Sequence, residues 1–187
     1  MINVFKHIDL ILFKLIHVSM SNSFFNALMP LLRIPYFWAP VYLFLLVWMW
    51  STFNQKGLIW CLFFFMTFVF CDYISAHFIK NWVQRIRPCN DESLAFIIHK
   101  VVQCGSGYSF PSSHATNHFG LSFFIIFTLG NQYKYVKFFA IAWALLICFA
   151  QVYVGVHYPF DILGGALLGV IIAKLIAIYF NQKVSLI

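Results

Sequence analysis

Residues 34–55 carry no charged side chain, and this apolar run constrains the fold more than any other feature of the chain. A run of about 20 apolar residues is long enough to cross the hydrocarbon core of a bilayer as a helix. Over the whole chain, hydrophobic residues make up 63%, charged residues only 9%, and the mean hydropathy is +0.86. These values exclude an ordinary water-soluble globule and predict an all-α, polytopic bundle of transmembrane helices.

Further apolar runs follow the first one, and together they predict about five transmembrane helices. The predicted bounds are 34–55, 57–82, 112–130, 138–153 and 159–180. We therefore expect one membrane-embedded domain over residues 1–187, whose transmembrane bundle occupies 34–183 and whose outer loop lies at about 86–110.

Two shorter amphipathic stretches, 4–17 and 22–32, precede the first predicted span. In both, apolar residues recur at helical spacing, and in the first of them charged residues lie between. Neither stretch is long or apolar enough to predict a transmembrane helix. The pattern is typical of helices that lie in the membrane interface, so residues 1–33 are expected to form interfacial N-terminal helices.

The formal net charge is +7, but the basic residues are scattered between apolar runs. They form no basic stripe or aromatic platform, which argues against a nucleic-acid partner. Membrane lipids are the expected partners instead. If five spans alternate, four lysines fall on the same side of the membrane: Lys56, Lys134, Lys137 and Lys183. Cytoplasmic loops are enriched in basic residues, so this side is expected to be cytoplasmic.

The first polar cluster, at the end of the second span, contains Lys80, Arg87 and Pro88. Lys80 and Arg87 are seven positions apart, about two helical turns, so both are expected to face one direction on a helix that Pro88 ends. Two cations at one interface can hold a dianionic phosphate. The structural alternative is a pair of anchors at a helix end, which is also how Arg85 is interpreted.

The second cluster, Pro111-Ser112-Ser113-His114, opens the third span. Ser112 is a natural N-cap, and the first backbone N–H groups of a helix point out of its start. Such a helix start binds phosphate, and His114 is placed to protonate a leaving oxygen. The structural alternative is an ordinary cap followed by an interfacial histidine.

The third cluster opens the fifth span, where His157 precedes Pro159 and Asp161. Proline is favoured at the first helical position. A carboxylate four residues after a histidine can hold one ring nitrogen, which leaves the other nitrogen as an oriented nucleophile. Because all three clusters are predicted on the outer face, we interpret them as one site.

A metal site is the alternative use of these side chains. The residues with metal-ligand chemistry are His114, His118, His157 and Asp161. The neighbouring Lys80 would repel a cation, as would Arg87, so we predict no metal at the site.

The cysteines divide into two groups. Cys61, Cys71 and Cys148 lie within apolar runs and are expected to be packing residues. Cys89 and Cys104 both lie in the polar segment at 86–110. If that segment faces an oxidising compartment, these two can form a disulfide; otherwise they remain free thiols.

Together, the three clusters resemble the signature motifs of the type 2 phosphatidic acid phosphatase (PAP2) superfamily. The matching segments are Lys80-(six residues)-Arg87-Pro88, Pro111-Ser112-Ser113-His114 and His157-(three residues)-Asp161. Their order and spacing agree with the family pattern, and the resemblance covers roughly residues 57–169. It implies a membrane-embedded helical bundle that hydrolyses lipid phosphates without a metal or other cofactor, through a phosphohistidine intermediate.

By this resemblance, His157 is the expected nucleophile, Asp161 orients it, and His114 is the general acid. The expected phosphate-binding residues are Lys80, Arg87, Ser112, Ser113 and Gln151.

Two positions depart from the family pattern. Ser113 stands where glycine is usual, and Gln151 stands where a phosphate-binding arginine is usual. Gln151 can donate a hydrogen bond but carries no charge, and charge-assisted bonds are roughly twice as strong as neutral ones. Because of this substitution, a protein that binds lipid phosphate but hydrolyses it weakly remains an alternative.

The expected function is hydrolysis of a lipid phosphate or pyrophosphate at the outer face of a cytoplasmic membrane. The best candidate substrate is undecaprenyl pyrophosphate. Lipid A phosphate and phosphatidylglycerol phosphate are the alternatives, because the family includes enzymes for each and the sequence does not choose among them.

Overall fold

The computed structural model describes residues 2–186, with side chains from residue 4 onward. Within these residues every regular element is helical. The α-helices are α1 (Ile2–Lys14), α2 (Ser23–Leu32), α3 (Ala39–Tyr73), α4 (Lys80–Val83), α5 (Ser113–Leu129), α6 (Val136–Tyr153) and α7 (Pro159–Lys183). Two π-helical turns, Leu15–Ser19 and Ile74–Ile79, follow α1 and α3. The predicted all-α bundle is confirmed.

Three stretches of helix among the described residues are long and apolar enough to cross a bilayer: Pro35–Val83, Val136–Tyr153 and Pro159–Lys183. The N-terminal pair Val4–Ser19 and Ser23–Leu32 qualifies only as a broken pair, since it is bent by 115°. At 17 residues, α5 is slightly shorter than these stretches, and it packs between them, most extensively against α7.

The first stretch is a hairpin. Asn54 has φ 51° and ψ −128°, outside the helical range, and it divides α3 into arms at 39–53 and 55–73. In a straight helix, Met49 and Gly57 would be separated by about 12 Å of helix rise. Instead, a Cβ at Gly57 would lie 2.0 Å from the carbonyl oxygen of Met49, so the two arms are in contact. These arms correspond to the first two predicted spans.

Helices α5 and α7 approach each other through glycines. A Cβ at Gly165 would lie 2.5 Å from the carbonyl oxygen of Ser112, and one at Gly169 would lie 2.3 Å from that of Thr116. Small residues allow such backbone proximity between membrane helices. The contact places the first turns of α5 and α7 side by side.

The N-terminal helices pack over the same end of the bundle. Met29 and Leu32 of α2 are buried against Ala150 and Tyr153 of α6. The buried side of α1 and the π-helical turn that follows it presents Asp9, Phe13 and His17, each no more than 1% exposed, whereas the apolar residues on its other side are exposed. This burial of one face fits a helix that lies on the bundle and contacts lipid with its apolar side.

Candidate active site

Ser112 and Asp161 join the second and third clusters directly. The backbone N–H of Ser112 donates to the carbonyl oxygen of Asp161 at 3.0 Å. Ser112 is also the N-cap of α5, where its hydroxyl accepts from the N–H of Ala115 at 3.3 Å. The helix start that the sequence predicts as a phosphate cradle therefore lies beside the start of α7.

The carboxylate of Asp161 is fully buried and held by three donors. Its Oδ1 accepts from Nη1 of Arg85 at 2.7 Å. Its Oδ2 accepts from the N–H of Tyr158 at 2.8 Å and from the hydroxyl of Ser109. These bonds fix the position of the carboxylate at the start of α7.

His157 lies beside this carboxylate but is not bonded to it. Its Nδ1 is 3.7 Å from Oδ2 of Asp161, beyond hydrogen-bond distance, and this buried nitrogen has no other partner among the described residues. The expected hydrogen bond is therefore not formed in this state, because Oδ2 turns to Tyr158 and Ser109 instead. Catalytic hydrogen bonds are often long in the absence of substrate.

Burial controls the charge of His157. The side chain is 2% exposed, and this burial lowers the pKa of His157 to about 4. The nearby Asp161 acts in the opposite direction, while Arg87 and Lys80 add to the lowering. The imidazole is therefore neutral at physiological pH, and both cations of the first cluster lie within electrostatic range of it.

The helix that carries Lys80 ends earlier than the sequence predicts. Gln84 has φ 52° and caps α4, which ends at Val83. Arg87 lies four residues after Val83, in an extended backbone conformation. The expectation that Lys80 and Arg87 share one helical face, and that Pro88 ends that helix, is wrong. The left-handed backbone of Gln84 ends the helix.

Arg87 is nevertheless directed toward the outer loop. Its Nε donates to the carbonyl oxygen of Gly107 at 2.7 Å. Cys89 and Cys104 form a disulfide with a Cα–Cα distance of 5.9 Å, which holds this part of the loop beside the arginine. Burial lowers the pKa of the Arg87 guanidinium, and Asp161 opposes that shift.

Ser113 and His114 occupy the first turn of α5. The hydroxyl of Ser75 donates to that of Ser113 at 3.0 Å, which links the helix start to the π-helical turn before α4. His114 lies within electrostatic range of Lys80 and His157. The two histidines and the first-cluster lysine, distant in sequence, are thus brought together.

Gln151 is fully buried and contacts an arginine from another part of the chain. Its Oε1 accepts from Nε of Arg33 at 3.1 Å, whereas its Nε2 has no partner among the described residues. Burial, and to a lesser extent the positive charge of Arg87, lowers the pKa of Arg33 to about 10. Arg33 therefore remains charged at neutral pH and lies near Arg87.

An apolar cavity of about 550 Å³ extends from this site between the arms of α3 and helix α5. Its outer end is lined by Arg33, Ser113 and His114. The rest of the wall is mostly aromatic and aliphatic, and includes Trp38, Tyr42, Leu45, Leu46, Trp60, Phe64, Phe65, Phe68 and Leu121. A hydrocarbon chain can occupy the cavity while its phosphate lies among the polar residues.

The remaining polar residues of the cavity are structural. Asn117 donates to Oδ1 of Asp72 at 3.0 Å, and the ring of His118 packs edge-on against Trp143 with centroids 4.8 Å apart. No group of three or more histidine, cysteine, aspartate or glutamate side chains in the described part of the chain is arranged to hold a metal ion.

Sequence reasoning missed three side chains at the site: Arg33, Asp9 and Ser109. It also misinterpreted Arg85, which does not serve only as a helix-end anchor, because it bridges Asp161 and Asp9 at 2.7 and 2.6 Å. Asp9 is one of only five acidic residues in the chain. That scarcity of acidic residues, together with the position of Arg33 just before the uncharged run 34–55, was the available signal.

The comparison with protein families decides the relationship. A model of the PAP2 superfamily matches residues 59–185. The chain belongs to the PAP2 superfamily. Members of this superfamily are phosphatases that hydrolyse phosphate esters and diphosphates.

Curated relatives include several lipid phosphatases. The chain is 32% identical over 137 residues to a lipid A 4′-phosphatase of Bacteroides thetaiotaomicron, covering 71% of this chain and 59% of that protein. It is 31% identical over 114 residues to phosphatidylglycerophosphatase B of Bacillus subtilis, covering 57% of this chain and 51% of the relative. The chain thus spans between half and three-fifths of the length of these two relatives.

Two solved structures share the fold. The crystal structure of a transmembrane PAP2-type phosphatidylglycerolphosphate phosphatase from Bacillus subtilis has a TM-score of 0.70 and 23% identity, covering 97% of this chain and 88% of that one. The crystal structure of Aquifex aeolicus LpxE has a TM-score of 0.66 and 22% identity, covering 91% of this chain and 94% of that one. With its membrane-spanning helices, this PAP2 chain is a multi-pass membrane protein.

Proposed function

We propose that this chain is a lipid phosphate or pyrophosphate phosphatase that works through a phosphohistidine on His157. The observation that carries the proposal is that His157, His114 and Lys80 lie within electrostatic range of one another, while His114 also lines the polar end of an apolar cavity. A histidine nucleophile, a second histidine and a phosphate-binding charge are the parts that phosphoryl transfer through an enzyme-bound intermediate needs.

In the first step, Nε2 of His157 attacks the phosphorus while the bond between phosphorus and the leaving oxygen breaks. His114 gives a proton to that oxygen, so that the lipid leaves as an alcohol or as a lipid phosphate. Lys80 and Arg87 balance the negative charge of the transferring group, together with the backbone N–H groups at the start of α5. Asp161 faces the Nδ1 side of the imidazole and stabilises the charge that develops there.

In the second step, water attacks the phosphorus and breaks its bond to nitrogen. His114, now neutral, accepts a proton from that water. Inorganic phosphate is released, and both histidines return to their starting states.

Two substrates are supported by different observations. The apolar walls of the cavity begin next to His114, which favours a hydrocarbon attached directly to the phosphate, as in undecaprenyl pyrophosphate. Two shorter matches are to undecaprenyl-diphosphatases of Bacillus subtilis and Sulfolobus acidocaldarius, at 29% and 31% identity. The similarity to the Bacteroides lipid A 4′-phosphatase favours a lipid A phosphate instead.

We also propose that the site faces the outside of a cytoplasmic membrane. The support is the charge distribution, because Lys56, Lys134 and Lys137 lie in connections at the opposite end of the bundle from His157. We propose, in addition, the domain bounds predicted from the sequence, which are one membrane-embedded domain over residues 1–187.

The test is phosphate release by detergent-purified protein from undecaprenyl pyrophosphate, lipid A, phosphatidylglycerol phosphate and phosphatidic acid, with excess EDTA present. We expect release from one of these lipids and a loss of about a thousandfold or more in His157→Ala, since removing a nucleophile costs that much or more. His114→Ala should also lower phosphate release, since His114 serves as acid in the first step and as base in the second. Unchanged phosphate release by His157→Ala would exclude the proposed mechanism. Phosphate release that requires an added metal would show that the reaction is not metal-independent.

A further inference from the structure

Arg33 reaches the site from an element that lies outside the three motifs. It is the residue that ends α2, and the indole Nε1 of Trp38 donates to the carbonyl oxygen of the preceding Leu32 at 2.8 Å. Leu32 itself is buried against α6. The backbone that carries Arg33 is therefore fixed against the helix that carries Gln151.

The side chain of Arg33 is oriented by Gln151. Nε of Arg33 donates to Oε1 of Gln151, which uses one of the five guanidinium N–H groups. The two terminal nitrogens form no hydrogen bond and no ion pair with the residues that the structure describes. Arg33 lines the polar end of the cavity together with Ser113 and His114.

The cations around Arg33 form no ion pairs among the described residues, although Asp72 and Asp161 lie within electrostatic range of Lys80. Arg33 lies within electrostatic range of Arg87 and His114, and Lys80 lies within range of Arg87. None of the three cations forms an ion pair with a carboxylate among the described side chains, since Arg85 takes up both Asp9 and Asp161. Three half-buried cations without an ion-pair partner favour a bound dianion.

Gln151 adds a second donor. Its Nε2 is buried, has no partner in the described structure and belongs to the same amide whose oxygen holds Arg33. A buried donor without a partner costs free energy unless a ligand satisfies it. The amide can therefore hold the arginine with its oxygen and donate to a phosphoryl oxygen with its nitrogen.

We propose that Arg33 is the third phosphate-binding cation of this enzyme, supplied by the N-terminal region in place of an arginine at position 151, and that Gln151 orients it. This inference rests on the proposed phosphatase function. The guanidinium would contact a non-bridging oxygen of the phosphoryl group, and its charge would stabilise the negative charge that develops during transfer.

The test exchanges the two side chains. Arg33→Gln removes the charge, Arg33→Lys keeps the charge without the planar fork, and Arg33→Gln/Gln151→Arg returns an arginine to position 151. We expect kcat/KM to fall about a hundredfold in Arg33→Gln, because removing one charge-stabilising donor has an effect of that order. Arg33→Lys should fall less, and the double variant should regain at least about tenfold over Arg33→Gln.

Binding of inorganic phosphate, measured by titration calorimetry, gives a second readout that does not require turnover. We expect about tenfold weaker binding in Arg33→Gln and recovery in the double variant. Lys14→Ala is the matched control, since it removes one exposed cation of the N-terminal region that does not line the cavity. It should keep wild-type activity and phosphate affinity.

The inference is overturned if Arg33→Gln keeps wild-type activity and phosphate affinity, or if it loses both and the double variant regains neither. If wild-type protein releases phosphate from none of the lipids, the phosphatase proposal fails. The binding measurements then still decide whether Arg33 holds phosphate. If Arg33→Gln does not fold, Arg33→Lys and the double variant are each compared with the wild type in the same two measurements.

Discussion

At the scale of single residues, the protonation state of His157 determines whether its imidazole has a lone pair for the proposed attack on phosphorus. Burial lowers its pKa to about 4, so the neutral form dominates above that value. A neutral imidazole has a free lone pair and needs no separate base to activate it. As the pH falls through the pKa, the ring gains a proton and the nucleophile is lost.

We therefore expect His157 to stay neutral throughout the range from pH 8 to about pH 5, well below the ordinary histidine pKa of 6.5. The measurement is an NMR titration of protein with isotope-labelled histidine, in which His157→Gln assigns the signal. A titration midpoint near 6.5 would contradict the expectation.

The residues that we propose as catalytic could be selected from the sequence because they lie in short local motifs with fixed spacing. The partners of those residues were not. Asp161 is held by Arg85 and Ser109, which lie 76 and 52 positions away, and Asp9 contacts the N–H of Phe160 from 151 positions away. Nothing in local periodicity shows such contacts, because they depend on how the helices pack.

At the scale of elements, the contact between α5 and α7 positions the helix start that we propose as a phosphate-binding group. Gly165 lies against the carbonyl oxygen of Ser112, so any side chain at 165 must push the two helix starts apart. Overpacking a close contact costs about 1–3 kcal/mol and shifts backbone.

We expect Gly165→Ala to lower both thermal stability and kcat. The matched control is Gly164→Ala, the same change one position earlier, whose new methyl group would meet the ring of Phe110 at 2.5 Å. That ring can rotate, whereas the backbone at Ser112 cannot move without displacing the first turn of α5. Equal effects of the two substitutions on kcat would contradict this account. The measurements are phosphate release and the unfolding temperature in detergent.

The disulfide closes a loop of 15 positions beside Arg87. In the chain-entropy account, a loop of this size gives about 3 kcal/mol of stabilisation. We expect alkylation of denatured, unreduced protein to modify only Cys61, Cys71 and Cys148, and all five cysteines to react after reduction. Intact mass distinguishes three from five modifications. Reaction of Cys89 and Cys104 without reduction would show free thiols.

Long apolar runs and caps made most helices predictable, including the N-cap at Ser112 and the start of α7 at Pro159. The end of α4 was not predictable. Gln84 ends it by adopting a left-handed conformation, which is usually adopted by glycine or asparagine. The sharp turn at Asn54 lies at the end of the uncharged run 34–55. The end of that run is the reason why the sequence predicted two spans, and the turn separates the two arms that correspond to them.

At the scale of the whole molecule, the two ends of the bundle differ in charge and chemistry. One end carries the site and the outer loop, and the other carries Lys56 and Lys134. We expect a cysteine at Ser106, which is exposed in the outer loop, to react with a membrane-impermeant maleimide in intact cells. A cysteine at the equally exposed Lys134 should react only after the membrane is opened. The reverse pattern would place the site in the cytoplasm.

The ion pairs around Arg85 connect the first helix of the chain with the last one. Asp9 comes from α1, whereas Asp161 and the N–H of Phe160 come from the start of α7. During synthesis the chain emerges in order, so Arg33, Lys80, Arg87 and His114 all exist before His157 does. In the proposed mechanism, a partly made chain would therefore carry these groups without the nucleophile. Hydrolysis would require the final helix, whose start packs against the first helix of the chain.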